Sequence, residues 1–187
     1  FTKKKNLYRN ALAHADRGKI LWNKRLDLRD PNYSLFPALN WNTDEFSCAI
    51  GLANLKRLKL TNNKRKKFLK NLLYFFKKYK IKSCKPYNFN NGFAPFYFPI
   101  FYENKILNLS KKKFTDILIQ EGIPLGWHYG CMVYDWKWAK KYMKDEFKSK
   151  NAIYYRDNCF HLYLNENYGV KEATEVVKAI KKIENIY

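Results

Sequence analysis

His128 stands between Trp127 and Tyr129, two residues after Gly126, and is the residue of this 187-residue chain best placed to touch a ligand. An imidazole titrates near neutral pH and can give or take a hydrogen bond. In an aromatic turn that chemistry serves either ligand contact or plain packing, and both readings stand. The other histidines offer less. His14 falls near the C-terminal end of a predicted helix, where an imidazolium suits the helix dipole. His161 sits in an apolar run and reads as a satisfied core or edge residue. None of the three is spaced as a metal pair. Cys48, Cys84, Cys131 and Cys159 form no C-x-x-C pair, which argues against a structural zinc site. Free, mostly buried thiols in a reducing cytoplasm are the plainer expectation.

Other motifs for chemistry are missing. There is no G-x-S-x-G elbow, no G-x-x-x-x-G-K-[ST] loop and no G-x-G-x-x-G, and seven dispersed glycines build no phosphate cradle. Asp44-Glu45 reads as helix-start charge, and Asp145-Glu146 as part of a solvated loop. On its residues alone, the chain is an α/β module without a self-contained active site.

A formal charge of +21 raises a nucleic-acid role, since Lys and Arg neutralise phosphates whatever the base sequence. Three features count against it. Lysine outnumbers arginine roughly four to one, whereas arginine suits bidentate phosphate recognition. The lysines are spread along the whole chain. The richness in Asn, Ile, Tyr and Phe points to a general compositional bias. With 47% hydrophobic residues a packed core is expected, and no run of 18 apolar residues is present to span a membrane. The start at Phe1, followed by Thr2-Lys3-Lys4-Lys5, reads as a fragment or processed piece.

The elements that must position these residues follow from periodicity. Lys5 to Ala15 is predicted helical, stopped at Gly18. Residues 20–39, with Pro31 and Pro37, read as an extended loop anchored by Trp22, Tyr33 and Phe36. A long helix is expected from Asn42 to about Tyr79, roughly 55 Å at 1.5 Å per residue, with Asn42 and Glu45 forming a capping box and Asn62-Asn63 the place to bend. Ala94 to Tyr102 reads as an edge or kinked strand because of its prolines. Ser110 caps a helix closed at Gly122, Tyr134 to Met143 forms a short Trp-rich helix, and 144–152 is a charged loop. Cys159 to Leu164 alternates as a strand, and an amphipathic helix follows Gly169.

Five pieces, in order, carry a family resemblance: L-Y-R-N-A-L-A-H-A-D-R-G-K at 7–19, Asn40-Trp41-Asn42, I-G-L-A-N-L at 50–55, Gly122-Ile123-Pro124 with His128-Tyr129, and F-H-L-Y-L-N at 160–165. Together the chain resembles the C-terminal half of DegT/DnrJ/StrS-type sugar aminotransferases. The resemblance implies an α/β fold, the C-terminal part of a fold-type-I pyridoxal-phosphate (PLP) transferase. Residues 1–41 would be the tail of the large cofactor domain with a dimer-contact loop, 42–79 the interdomain helix and 80–187 the small domain. It implies a homodimer in which Asn40, with Trp41 and Asn42, reaches the neighbouring subunit's cofactor phosphate. Asn42 departs from the family's usual arginine. Taken alone, Asn40 has a second reading as a turn residue, Asn42 as a helix cap and Trp41 as core filling. His128 and Tyr129 would line the pocket for a sugar-nucleotide substrate, with glutamate as amino donor. The Schiff-base lysine would lie before Phe1, so this chain alone is expected to be inactive. The rival readings are a basic nucleic-acid-binding module and a non-catalytic dimerising or regulatory member of the family.

Overall fold

The computed structural model describes residues 2–41, 43–90, 92–145 and 147–187, which divide into two compact units. The first comprises residues 1–52 and 131–149, the second 53–130 and 150–187.

The first unit opens with α1 (Lys5–Ala15), as its apolar spacing predicts. The helix ends in a double left-handed turn: Arg17 has φ 55° and Gly18 φ 73°, and the Gly18 amide donates to the Ala13 carbonyl at 2.8 Å. A Cβ on Gly18 would lie 2.0 Å from the Phe36 carbonyl oxygen, so glycine is required for this close approach. The turn is tied to the following loop by an antiparallel bridge between Lys19 and Ser34 and another between Asp16 and Asn40. Pro31–Tyr33 adds one 3-10 turn, closed by the Asp30 carboxylate on the Asn32 amide.

The Trp-rich segment does not form the expected helix. It contains two single 3-10 turns, Val133–Asp135 and Lys140–Tyr142. Trp136 and Trp138 pack on each other with centroids 5.4 Å apart. Side chains two positions apart share a face only in extended chain, which is incompatible with a helix here.

Helix α2 (Glu45–Lys78) is continuous through Asn62-Asn63, with its first eight residues in the first unit and the rest in the second. The expected start at Asn42 lies outside the described residues. The helix begins instead at Glu45, where the Asp44 carboxylate accepts from the Ser47 amide at 2.8 Å. That N-cap hydrogen bond holds Asp44 below the usual carboxylate range.

The second unit is built on a four-stranded antiparallel sheet in the order β1-β2-β4-β3: β1 (Cys84–Pro86), β2 (Tyr97–Tyr102), β3 (Leu125–Gly126) and β4 (Cys159–Tyr163). Strand β2 is internal rather than at the edge. The Pro99 carbonyl accepts from the Tyr87 amide, just beyond the end of β1. The Pro99 nitrogen faces that same side, so the ladder towards β4 loses no donor.

One sheet face carries Phe98, Ile100 and Tyr102 against Phe160 and Leu162 of β4. These pack with Phe68, Leu69 and Leu72 of α2, with Phe114 and Leu118 of α4 (Lys111–Gln120), and with Val177, Ile180 and Ile183 of α6 (Val170–Ile186). Ser110 caps α4, and the Glu172 carboxylate accepts from the Gly169 amide to start α6. A one-turn helix, α3 (Asn104–Leu107), joins β2 to α4. The other sheet face meets α5 (Lys150–Asn158), which takes in the last three residues of the charged loop expected over 144–152. Phe101 of β2 lies 6.0 Å from Tyr154 and 5.8 Å from Tyr155 of that helix. Of the cysteines, Cys84 and Cys159 are buried, but Cys48 and Cys131 are exposed, against the expectation of mostly buried thiols.

Candidate functional site

The second unit gathers titratable and aromatic side chains on the sheet face that α5 covers. His161 of β4 stands opposite Pro99 on one side and Gly126 on the other. Its Nε2 lies 2.7 Å from the Tyr155 hydroxyl, with the Tyr97 ring edge-on at 4.6 Å and the Tyr129 ring edge-on at 6.0 Å. Burial, then the Lys111 and His128 charges, pull His161 down to about 4, so it is neutral at pH 7.

His128 and Tyr129 lie in the turn after β3 and are exposed. The His128 ring stacks on Trp127 at 4.6 Å, and the Lys111 and Lys112 ammonium groups lie 5.7 and 5.4 Å from the Trp127 centroid. Partial burial, then the positive charges of Lys111 and Arg156, lower His128. Lys111 itself is anchored: its Nζ donates to the Arg156 carbonyl at 2.6 Å and the Cys159 carbonyl at 2.9 Å, at the end of α5. The exposed His128 and Tyr129, backed by the half-buried Tyr97 and Tyr155, the buried His161 and the fixed Lys111 cation, make a surface suited to hydroxyl and phosphate groups. The sequence reading named His128 and Tyr129 as candidates and did not name Tyr155, Tyr97 or Lys111, which the fold brings beside them. Tyr155 was hidden because α5 buries no residue fully and has no apolar stripe.

Asn40 and Trp41 belong to the first unit. The backbone pins them: the Trp41 amide donates to the Ala15 carbonyl, and Arg17 donates to Leu39. Both side chains are exposed, Trp41 at 74%, so Trp41 is no core filler. Asn42 lies outside the described residues. The first unit also encloses a cavity of about 520 Å³, lined in part by Arg17, Lys19, Arg29, Trp136 and Trp138.

The DegT/DnrJ/EryC1/StrS aminotransferase family model matches residues 5–181. The chain belongs to this family. Solved structures share its fold. The Helicobacter pylori aminotransferase PseC, involved in pseudoaminic acid biosynthesis, aligns with all of the chain at 15% identity and a TM-score of 0.62, over 48% of its own length. A sugar aminotransferase described as putative, Spr1654 from Streptococcus pneumoniae in its PLP form, aligns with 99% of the chain at 14% identity and TM-score 0.61, over 45% of its length. An E. coli GDP-4-keto-6-deoxy-D-mannose-3-dehydratase with bound hydrated PLP aligns with 96% at 18% identity and TM-score 0.59, over 48% of its length. The chain thus spans about half the length of these structures. A comparison with curated proteins finds no match.

Pyridoxal phosphate is the cofactor of this family, and when bound it supplies an electron sink. The exposed Asn40 amide is able to hold an anion without titrating. Lys111, the lysine of the tyrosine–histidine cluster, is spent on two carbonyls and offers no free amine.

Proposed function

We propose that this chain is the C-terminal portion of a PLP-dependent aminotransferase that moves an amino group from glutamate onto a keto-sugar nucleotide, for surface polysaccharide or amino-sugar synthesis. The observation that carries this reading is the family match across residues 5–181. In it, residues 1–41 are the tail of the cofactor domain, 42–79 the interdomain helix and 80–187 the small domain. Asn40, flanked by Trp41 and Asn42, reaches the cofactor phosphate of the neighbouring subunit in a homodimer. His128 and Tyr129 line the sugar-nucleotide side, where a neutral imidazole beside Trp127 suits a hydroxyl-rich ligand. The Schiff-base lysine belongs to the half of the enzyme that this chain does not cover, so the chain alone is inactive. Four free thiols support a reducing, cytoplasmic setting.

The test uses the complete enzyme. It is expected to transfer ¹⁵N from labelled glutamate to a keto-sugar nucleotide in the presence of PLP; absence of transfer overturns the reading. Asn40→Ala is expected to weaken PLP binding about tenfold, read from the visible absorbance of the bound cofactor. Unchanged affinity removes Asn40 from the phosphate site while leaving the activity in place.

A further inference from the structure

A cavity lies wholly within the second unit, where the end of α2 meets the edge strand β1. Its floor is apolar: Phe76 and Cys84 are buried, and Leu73 and Ile81 half-buried. Its rim carries three exposed lysines, Lys77, Lys80 and Lys85, and no carboxylate lines it. At about 460 Å³ it falls within the ~300–1,000 Å³ typical of small-molecule sites. Strand β1 and strand β3, which leads to His128, are opposite edges of the sheet, so this cavity is no part of the tyrosine–histidine surface.

The cations are available to a ligand. Lys77, Lys80 and Lys85 form no ion pair and no side-chain hydrogen bond among the described residues. Glu103 and Glu184 lie near Cys84 but outside the lining, and Glu184 is taken up by the Lys82 and Ser83 amides and by Lys181. From Phe46 to Tyr102 the sequence holds no Asp or Glu, so the segments that build the cavity supply no counter-charge of their own. Lys80 is also held under strain. It has φ 50° at the C-terminal cap of α2, where its amide donates to the Lys77 carbonyl and the Ile81 amide to the Phe76 carbonyl, both at 3.1 Å. That cap ordinarily takes glycine. A lysine in its place sets a cation at the mouth of the cavity against the backbone's preference, as strained residues at ligand clamps do.

We infer that this cavity binds a free fatty carboxylate, its chain on Leu73, Phe76 and Ile81 and its head on Lys77, Lys80 and Lys85. The site is separate from the transfer of nitrogen and stands whether or not that reading does. A sugar would leave hydroxyls unpaired on such a floor, and a bare anion would leave the floor uncovered. An apolar chain with one charged end matches both parts. The ammonium groups suit the head, since each is a point charge on a flexible stem and follows a carboxylate without demanding a bidentate fit.

The experiment is a titration of the chain, ¹³C-labelled at its isoleucine methyls, with octanoate. Acetate and octanol serve as the head-only and chain-only probes, and soluble dihexanoylphosphatidic acid as a phospholipid. Octanoate is expected to bind saturably and move the Ile81 resonance, identified by its loss in Ile81→Val. Octanol is expected to bind about fivefold more weakly, and acetate more than tenfold more weakly. Lys80→Gly relieves the left-handed strain, so it is expected to fold at least as stably as the native chain while binding octanoate about threefold more weakly. Combining it with Lys77→Gln and Lys85→Gln is expected to cost at least tenfold, and Lys67→Gln, which lies off this lining, to change nothing. Octanol binding as tightly as octanoate overturns the inference, because the lysines then take no part. No saturable Ile81 shift at millimolar octanoate, or a triple variant that binds as before, also overturns it. A shift at Ile50 in place of Ile81 puts the ligand on the exposed start of α2, and tighter binding of the phospholipid makes the occupant a lipid; either result removes the free carboxylate from this cavity. Because no PLP, glutamate or amino transfer enters this titration, its outcome is separate from that of the activity assay.

Discussion

The Tyr155 hydroxyl and the His161 Nε2 lie 2.7 Å apart on the sheet face covered by α5, and the imidazole is only 5% exposed. Burial, followed by the Lys111 and His128 charges, lowers His161 to about 4 from an ordinary 6.5. The neutral form is therefore favoured by folding. Above pH 6.5 neither state carries the proton, and the stabilisation is complete. As the pH falls from 6.5 towards 4, the unfolded chain takes up a proton that the folded chain refuses, and stability is lost. The full loss is about 3 kcal/mol. Urea unfolding between pH 7.5 and 4 is expected to show this slope in the native chain and to lack most of it in His161→Phe. Tyr155→Phe removes the hydrogen bond but leaves the ring buried, so the His161 value is expected to stay well below 6.5; NMR titration of the ring proton reads this directly.

Glu184 of α6 binds the turn that leads from α2 into β1. Its Oε1 accepts from the Lys82 amide at 2.7 Å and the Ser83 amide at 2.6 Å, and its Oε2 accepts from Lys181. Burial alone would raise this carboxyl, but the hydrogen bonds outweigh it and leave it below the usual range. The stabilisation is thus present above the ordinary glutamate value and is lost as pH falls below it. Glu184→Gln keeps one acceptor oxygen and is expected to cost about 1–2 kcal/mol at pH 7, and less at pH 3. Equal destabilisation at both values would show that the charge plays no part.

Gly18→Ala is expected to destabilise the first unit by roughly 1–3 kcal/mol, since the added methyl meets the Phe36 carbonyl and the left-handed backbone disfavours it. Thermal unfolding followed by tryptophan emission measures this. A Gly18→Ala chain as stable as the native one would show that the close approach to Phe36 does not constrain this position.

Where local pattern and packing agree, the fold is readable from residues. Helix α1 matches its predicted limits, α4 carries its Ser110 cap, and α6 buries Val177, Ile180 and Ile183 as their spacing requires. Strand β4 forms where expected, but Cys159, Phe160, His161 and Leu162 are all buried rather than alternating, because the core meets one side of it and α5 the other. The failures have specific causes. Pro99 suggested an edge, but a proline nitrogen is harmless inside a sheet when it faces the side where the neighbouring strand has ended. Strand β1 has three residues, too few to show a period. Helix α5 has no buried residue to mark one. Trp136 and Trp138 were read as helical although their two-residue spacing favours extended chain. At the candidate site, His128 and Tyr129 were legible from their aromatic setting. The partners that fix His161 and Lys111 come from distant segments, and no local pattern announces them.

Helix α2 is one element with two stabilities. Towards its C-terminal end Phe68, Leu69, Leu72 and Phe76 are locked in the core, while Phe46, Ile50 and Leu55 stand 83%, 62% and 64% exposed. A helical segment of that length without packing is marginal in water. Its backbone amides before Leu60 therefore open by local fraying, at a small fraction of the free energy needed to release those after Phe68. Hydrogen exchange along this helix grades from fast to slow, and the unpacked turns melt and reform while the sheet beneath the other end stays closed.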